Sequence, residues 1–246
     1  YTLIIPNAES RTISQATIEG TGMIQVDNGG TLETNNLTLD GTGELNVASG
    51  ATLTLNGSFV FNATATADFD CGSIVNYAGT ASQTILSLQY GNLNTTGGVR
   101  ILSSTGTIGI CGTYTPVLTP TVTGSTIELN GSIPQTVPSA TRYNALTISN
   151  TNASFVTLNG NVGSASYPVT LTINNGSSLE IASGQTLDIR SRSSNVSGTL
   201  RNTGALNVTG ANLTFGPTGV YEHNINGGTI PSATWNSGST CMIIGA

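Results

Sequence analysis

The chain has 246 residues, a formal charge of −6, only 7% charged residues and no lysine. Its basic residues, Arg11, Arg100, Arg142, Arg190, Arg192 and Arg201, are few and scattered, which excludes the basic patch that nucleic acid or an anionic membrane surface requires. No stretch nears the roughly 18 apolar residues of a spanning helix, and the regular placement of Leu, Ile and Val excludes a disordered chain.

The chain opens on Tyr1-Thr2-Leu3-Ile4-Ile5, which reads as a strand. From Gly20 a phrase begins, Gly20-Thr21-Gly22-Met23-Ile24-Gln25-Val26 to Thr31-Leu32-Glu33, and returns 21 residues later as Gly41-Thr42-Gly43-Glu44-Leu45-Asn46-Val47 to Thr52-Leu53-Thr54. Within it Leu45, Val47, Leu53 and Leu55 alternate with Glu44, Asn46, Thr52 and Thr54, the period-two pattern of half-buried strands. Gly72–Ile85 then begins a longer unit whose sister is Gly124–Val137; each is followed by a Tyr-x-x-Leu phrase, at Tyr90 and Tyr143. Pro116 to Pro120 reads as a loop, because proline cannot donate to a strand ladder. Val169, Leu171 and Ile173 resume the alternation, and Ser178–Ile189 and Ala205–Phe215 repeat the early phrase. Gly29-Gly30, Ser49-Gly50, Asn56-Gly57, Asn130-Gly131, Asn159-Gly160 and Asn175-Gly176 mark corners, since these residues tolerate positive φ. No window carries helical periodicity with caps.

A repeat near 21 residues is the signature of a solenoid, in which each coil meets the same surroundings as the last. A β-sandwich is the rival fold, but its strands face different neighbours and have no cause to repeat their wording. The fold expected is therefore all-β, a parallel β-solenoid wound as a right-handed β-helix. It divides into regular coils over 1–70, a looser duplicated unit over 71–152 and regular coils over 153–246. Both ends read as ordinary strands, Tyr1–Ile5 and Cys241–Ile244, with no polar cap and no signal peptide. This leads us to expect a single solenoid segment of a longer chain.

The chemistry-bearing residues are sparse. Asp68 and Asp70 are two apart and would share a face if both lay on a strand. No Lys or Arg adjoins them as the cleavage of acidic polysaccharide would require, so a polar corner or a weak cation contact is the better reading. His223 has Glu222 as neighbour, pointing to the opposite side of a strand, and reads as a surface histidine in a turn. Asp27-Asn28-Gly29-Gly30 and Asp40-Gly41 read as turns and not as calcium loops. The phrases Thr52-Leu53-Thr54 and Thr170-Leu171-Thr172 raise ice binding, but Glu33 and Asp188 replace Thr54 in related copies and spoil a flat array. Cys71, Cys111 and Cys241 match no metal spacing; they read first as buried thiols, with a Cys71–Cys111 disulfide between neighbouring coils as the alternative. Tyr77, Tyr90, Tyr143 and Trp235 offer stacking platforms for sugars or, in the preferred reading, packing beneath loops. No catalytic, cofactor-binding or metal-ligating residue is assigned.

Gly79-Thr80-Ala81-Ser82-Gln83-Thr84-Ile85, Tyr143-Asn144-Ala145-Leu146-Thr147-Ile148-Ser149 and the run Tyr221 to Trp235 resemble the repeats of large secreted surface proteins of Bacteroidota. The resemblance covers roughly 71 to 246. It implies export by the type IX route, an extracellular place on the bacterial surface and service as an adhesin or filament. It supplies no catalytic residues, and the C-terminal sorting domain typical of such proteins is not in this chain. The function expected is a non-catalytic structural stalk or adhesive module, without cofactor. Its partners would be surface glycans or other proteins of a cell-surface assembly, with no nucleic acid and no membrane insertion. A polysaccharide lyase or glycoside hydrolase is the alternative, and an ice-binding protein the minor one.

Overall fold

The computed structural model describes residues 1–246 except Ala63, Ala140, Thr141, Ala211 and Ala246. The described residues form no helix, and the paired strands stack in parallel as successive coils of a β-solenoid. The chain divides into two compact units, Tyr1–Ser103 with Ile108–Thr121, and Ser104–Thr107 with Val122–Ala246.

In the first unit Thr2–Ile5, Met23–Val26, Glu44–Val47 and Thr66–Phe69 stack on one face. A second face runs from Ser10–Ile18 through Thr31–Leu39, Thr52–Leu55, Ile74–Tyr77 and Asn92–Thr95 to Tyr114–Pro116. Register follows the sequence repeat: Leu3 pairs with Ile24, Ile24 with Leu45, and Leu32 with Leu53. Ile24, Leu45, Leu32 and Leu53 are buried, and each such side chain contributes about 1.5–3 kcal/mol relative to leaving it in water.

A third face is hidden inside a strand. In Thr31–Leu39 burial alternates through Leu32 and Thr34, slips at the exposed pair Asn35-Asn36, then resumes through Leu37 and Leu39, which pair with Phe59–Phe61. The slip is a corner made without glycine, held by Thr34 Oγ1 donating to the Asn36 carbonyl at 3.0 Å. The glycine corners stack on one another. Gly29 and Gly50 take φ of 74° and 79°, and their amides climb the stack by donating to the carbonyls of Gly50 and Gly72. The first corner of this column carries Ala8 at φ 60° instead.

The second unit repeats the scheme with less even spacing. Thr126–Leu129, Ala145–Ile148, Thr170–Ile173, Ser194–Val196, Leu213–Phe215 and Thr234–Trp235 form one face. Thr136–Pro138, Val156–Asn159, Ser178–Ile181, Thr199–Asn202, Val220–His223 and Thr240–Ile243 form another. Thr186–Arg190 pairs with Ala205–Val208 across a bulge, which buries both Asp188 and Ile189. Val196, Phe215, Leu179, Leu200 and Tyr221 carry the core through these coils.

Candidate functional site

The acid pair does not form a site. Asp68 stands exposed on the strand beside Asn46. Asp70 lies past the strand end, where its carboxylate accepts the Ser49 amide of an adjacent coil at 2.9 Å. The same use recurs through the molecule. Asp40 accepts from the Gly41 amide and from Asn62, each at 2.8 Å. Glu33 accepts from Asn56 at 2.7 Å, Glu128 from Ser149 at 2.5 Å and Glu180 from Thr203 at 3.0 Å. Glu222 pairs with Arg201 at 2.6 Å, and Asp188 with Arg190 at 2.9 Å. These carboxylates tie corners and coils together. Among the described residues, no three His, Cys, Asp or Glu side chains gather as a metal site requires. Nor, among the described residues, is any helix long and apolar enough to cross a membrane.

His223 is not on the surface. It ends the strand Val220–His223 and is only 5% exposed. Its Nε2 lies 2.7 Å from the Gly227 carbonyl, which can only accept, so Nε2 carries the proton. Nδ1 then accepts from the Tyr221 hydroxyl at 3.3 Å, and that oxygen accepts from Asn202 at 3.1 Å. The chain of donors fixes one tautomer and ties the Gly227 turn to the core. The turn reading failed because the segment after His223 folds back to bury the ring. Glu222 points the other way, as expected, toward Arg201.

The cysteines are not buried thiols. Cys71 is exposed and Cys111 half-buried; the two are joined in a disulfide with Cα atoms 5.3 Å apart, while Cys241 is free and exposed. The bridge skips a coil instead of joining neighbours. Two rungs are about 9.6 Å apart, yet the gap closes because the intervening corner shrinks to Gly91. A Cβ there would sit 2.2 Å from the Asp70 carbonyl oxygen. Above and below it, Asn92 donates to the Ser73 carbonyl and Gly112 to that of Gly91, so the two cysteine corners meet over a shortened turn.

Tyr77, Tyr90 and Tyr143 pack inside, none more than 3% exposed, and are closed to sugars. Tyr77 and Tyr90 share a hydroxyl–hydroxyl bond of 2.9 Å, and Tyr90 donates onward to the Leu86 carbonyl at 3.1 Å. Burial pushes the Tyr77 phenol up to about 12 and holds Tyr90 well above its ordinary range. Trp235 stacks on Phe215 with centroids 4.3 Å apart.

The feature the sequence hid is Arg100. It is 1% exposed, and no carboxylate pairs with it among the described residues. Its guanidinium instead donates to the carbonyls of Tyr77, Gly79, Ala81, Thr96 and Val99. Burial lowers its pKa from the ordinary value. The five donors of an arginine fork suit such a nest of carbonyls. Every donor direction is spent on backbone, so Arg100 closes a loop and offers nothing to a ligand.

What faces solvent is a set of columns in which hydroxyls and amides outnumber charges. On the second face of the first unit, Thr12, Glu33, Thr54, Asn76, Asn94 and Thr115 stand in register, one per coil. Asn94 donates to Asn76 at 3.0 Å and Asn76 to Thr54 at 3.3 Å. In the second unit the corresponding column is Glu128, Thr147, Thr172, Asn195, Thr214 and Thr234. The register thus aligns threonines that comparison of the Thr-x-Thr phrases alone had scattered, though Glu128 and Asn195 still interrupt them. No protein family, curated protein or solved structure matches this chain.

Proposed function

We propose that this chain is a non-catalytic structural and adhesive module of a large secreted bacterial surface protein, of the Bacteroidota kind that the repeat wording resembles. The observation that carries the reading is the division of labour among polar groups. Most carboxylates, including Glu33 and Glu128 within the outward columns, are bonded to corners or neighbouring coils, and the remaining column positions hold hydroxyls and amides. A catalytic pair for glycoside cleavage needs two carboxyl groups facing one bond across a fixed gap, and Asp70 is turned away to cap Ser49. A parallel ladder resists extension because every coil is bonded to the next along the stack. The Cys71–Cys111 bridge suits an oxidising, extracellular compartment.

Incubation with neutral and acidic polysaccharides tests this, with retention of the protein and release of reducing ends measured together. Retention without release supports an adhesive module, and neither retention nor release leaves a stalk. Release that is abolished in Asp68→Asn would establish the enzyme reading in its place. The threonine column of the second unit favours ice binding as a second reading, and thermal hysteresis in a freezing-point assay would establish it.

A further inference from the structure

A linear ligand lying along a solenoid face has to repeat at the spacing of the coils. Thr54, Asn76, Asn94 and Thr115 climb the first unit one per coil, a rise of about 4.8 Å each. With Thr96 and Val117 they line an open groove of about 530 Å³. Its wall is fixed from beneath, since the buried Thr95 hydroxyl accepts the Val117 amide at 3.3 Å. Val117 itself is 59% exposed.

We propose that this groove binds an extended neutral polysaccharide, one sugar ring per coil; the proposal rests on the adhesive reading above and names its ligand and site. Three features select the occupant. None of the residues lining the groove is charged, so neither a polyanion nor a polycation finds a counter-charge there. Each asparagine that donates within the column keeps a second N–H and a carbonyl lone pair free, and the threonine hydroxyls donate and accept. This set matches the vicinal hydroxyls of a neutral sugar, while Val117 offers an apolar edge to the ring's C–H face. A pyranose in an extended chain advances by about the height of one coil. An extended peptide advances about 3.3–3.4 Å per residue and falls out of step with the column within two coils.

The test presents the whole chain to immobilised xylan, mannan, cellulose and β-glucan oligomers, with polygalacturonate and alginate as acidic arms. We expect at least one neutral polymer to bind, with hexamers held at least tenfold more tightly than dimers. Asn94→Ala and Val117→Asp should each weaken it tenfold or more, while Asn175→Ala at an exposed corner of the other unit changes nothing; far-UV circular dichroism reports whether each variant keeps its fold. Binding confined to the acidic arms overturns the proposal. So does binding that survives both groove variants, or no binding at all. That last result leaves the stalk reading standing, whereas release of sugar from any arm overturns the non-catalytic reading itself.

Discussion

The duplicated segments, Gly72–Ile85 in the first unit and Gly124–Val137 in the second, meet one structural problem with partly different chemistry. In each, a loop leaves the ladder and returns, stranding backbone groups inside. Both copies use a buried glutamine: Gln83 accepts the Gly79 amide at 2.9 Å, and Gln135 the Gly131 amide at 3.0 Å. Both use the tyrosine that follows, with Tyr90 donating to the Leu86 carbonyl and Tyr143 to that of Pro138. They diverge at the remaining carbonyls. In the first copy Arg100 reaches the Ala81 carbonyl; in the second Asn150 donates to the Ile133 carbonyl at 2.8 Å, and the strand position that holds Arg100 is taken by Val156. A loop can therefore be closed by one long cation or by a short amide, and the first copy has staked more on a single side chain.

That difference predicts the largest effect. Arg100→Leu strands the carbonyls of Tyr77, Gly79, Ala81, Thr96 and Val99 at once. At about 1–3 kcal/mol per buried unpaired acceptor, partly relieved by water, we expect a loss of about 5 kcal/mol. Val156→Ala, at the matching place, should cost about 1–2 kcal/mol. Urea midpoints of the two variants measure this, and equal shifts would dissolve the comparison.

The disulfide is a second asymmetry, since it clamps only the first unit. It closes a separation of 40 residues, for which loop-closure entropy gives about 4 kcal/mol. The double variant Cys71→Ser, Cys111→Ser should lower stability by up to that amount. Hydrogen exchange should quicken in the coils around Gly91 and leave those around Leu200 unchanged.

Alkali probes the same imbalance. Unfolded tyrosines ionise near 10, whereas folded Tyr77 waits until about 12. Between these values the unfolded chain binds fewer protons than the folded one, so stability is complete below pH 10 and falls as pH rises. At about 1.4 kcal/mol per pH unit, Tyr77 alone accounts for about 3 kcal/mol across the window. Tyr90, Tyr114 and Tyr221 are raised as well and steepen the fall, so denaturant titrations at stepped pH should show at least this slope, and Tyr77→Phe should remove only its own share.

The shared glutamine tests the common half of the comparison. Gln83→Leu frees the Gly79 amide together with the Leu55 and Gly57 carbonyls and should cost about 2 kcal/mol. Gln135→Leu should cost a similar amount. A loss in one copy alone would show that the repeated wording hides different structures.

The solenoid was legible because its cause is local and repeated. Leu32, Leu53 and their partners must all face inward, so the period is written in every coil. The glycine corners were legible for the same reason: Gly29 and Gly50 hold a φ that other residues resist. The Asn35-Asn36 corner carries no such mark, and the third face went unread. Arg100, His223 and the coil-skipping disulfide were hidden for another reason. Each depends on a segment that leaves the repeat, namely the loop at Gly79, the turn at Gly227 and the shortened corner at Gly91. A side chain's burial then follows from an excursion that the period cannot forecast. The outward columns lay between these cases: their residue types were plain, but Asn76 and Asn94 could be set in register only once the coil lengths were known.

The smallest expected effect has the opposite sign and separates buried hydroxyls that work from one that does not. The Tyr114 hydroxyl is buried without a hydrogen-bond partner, and burial holds its phenol far above the ordinary range. Tyr90 is equally buried but bonded on both sides, to Tyr77 and to the Leu86 carbonyl. Removing an unsatisfied hydroxyl relieves its desolvation, whereas removing a bonded one strands its partners. Tyr114→Phe should therefore stabilise the first unit by about 1 kcal/mol, and Tyr90→Phe should destabilise it by about 1–2 kcal/mol. The same logic applies to Ser73, whose buried hydroxyl also lacks a partner and whose counterpart one coil earlier is Ala51. Ser73→Ala should match the gain at Tyr114. Thermal melts of the three variants settle the ordering, and a loss of stability in Tyr114→Phe would mean that its oxygen is held by a bound water that the surrounding coils are shaped to keep.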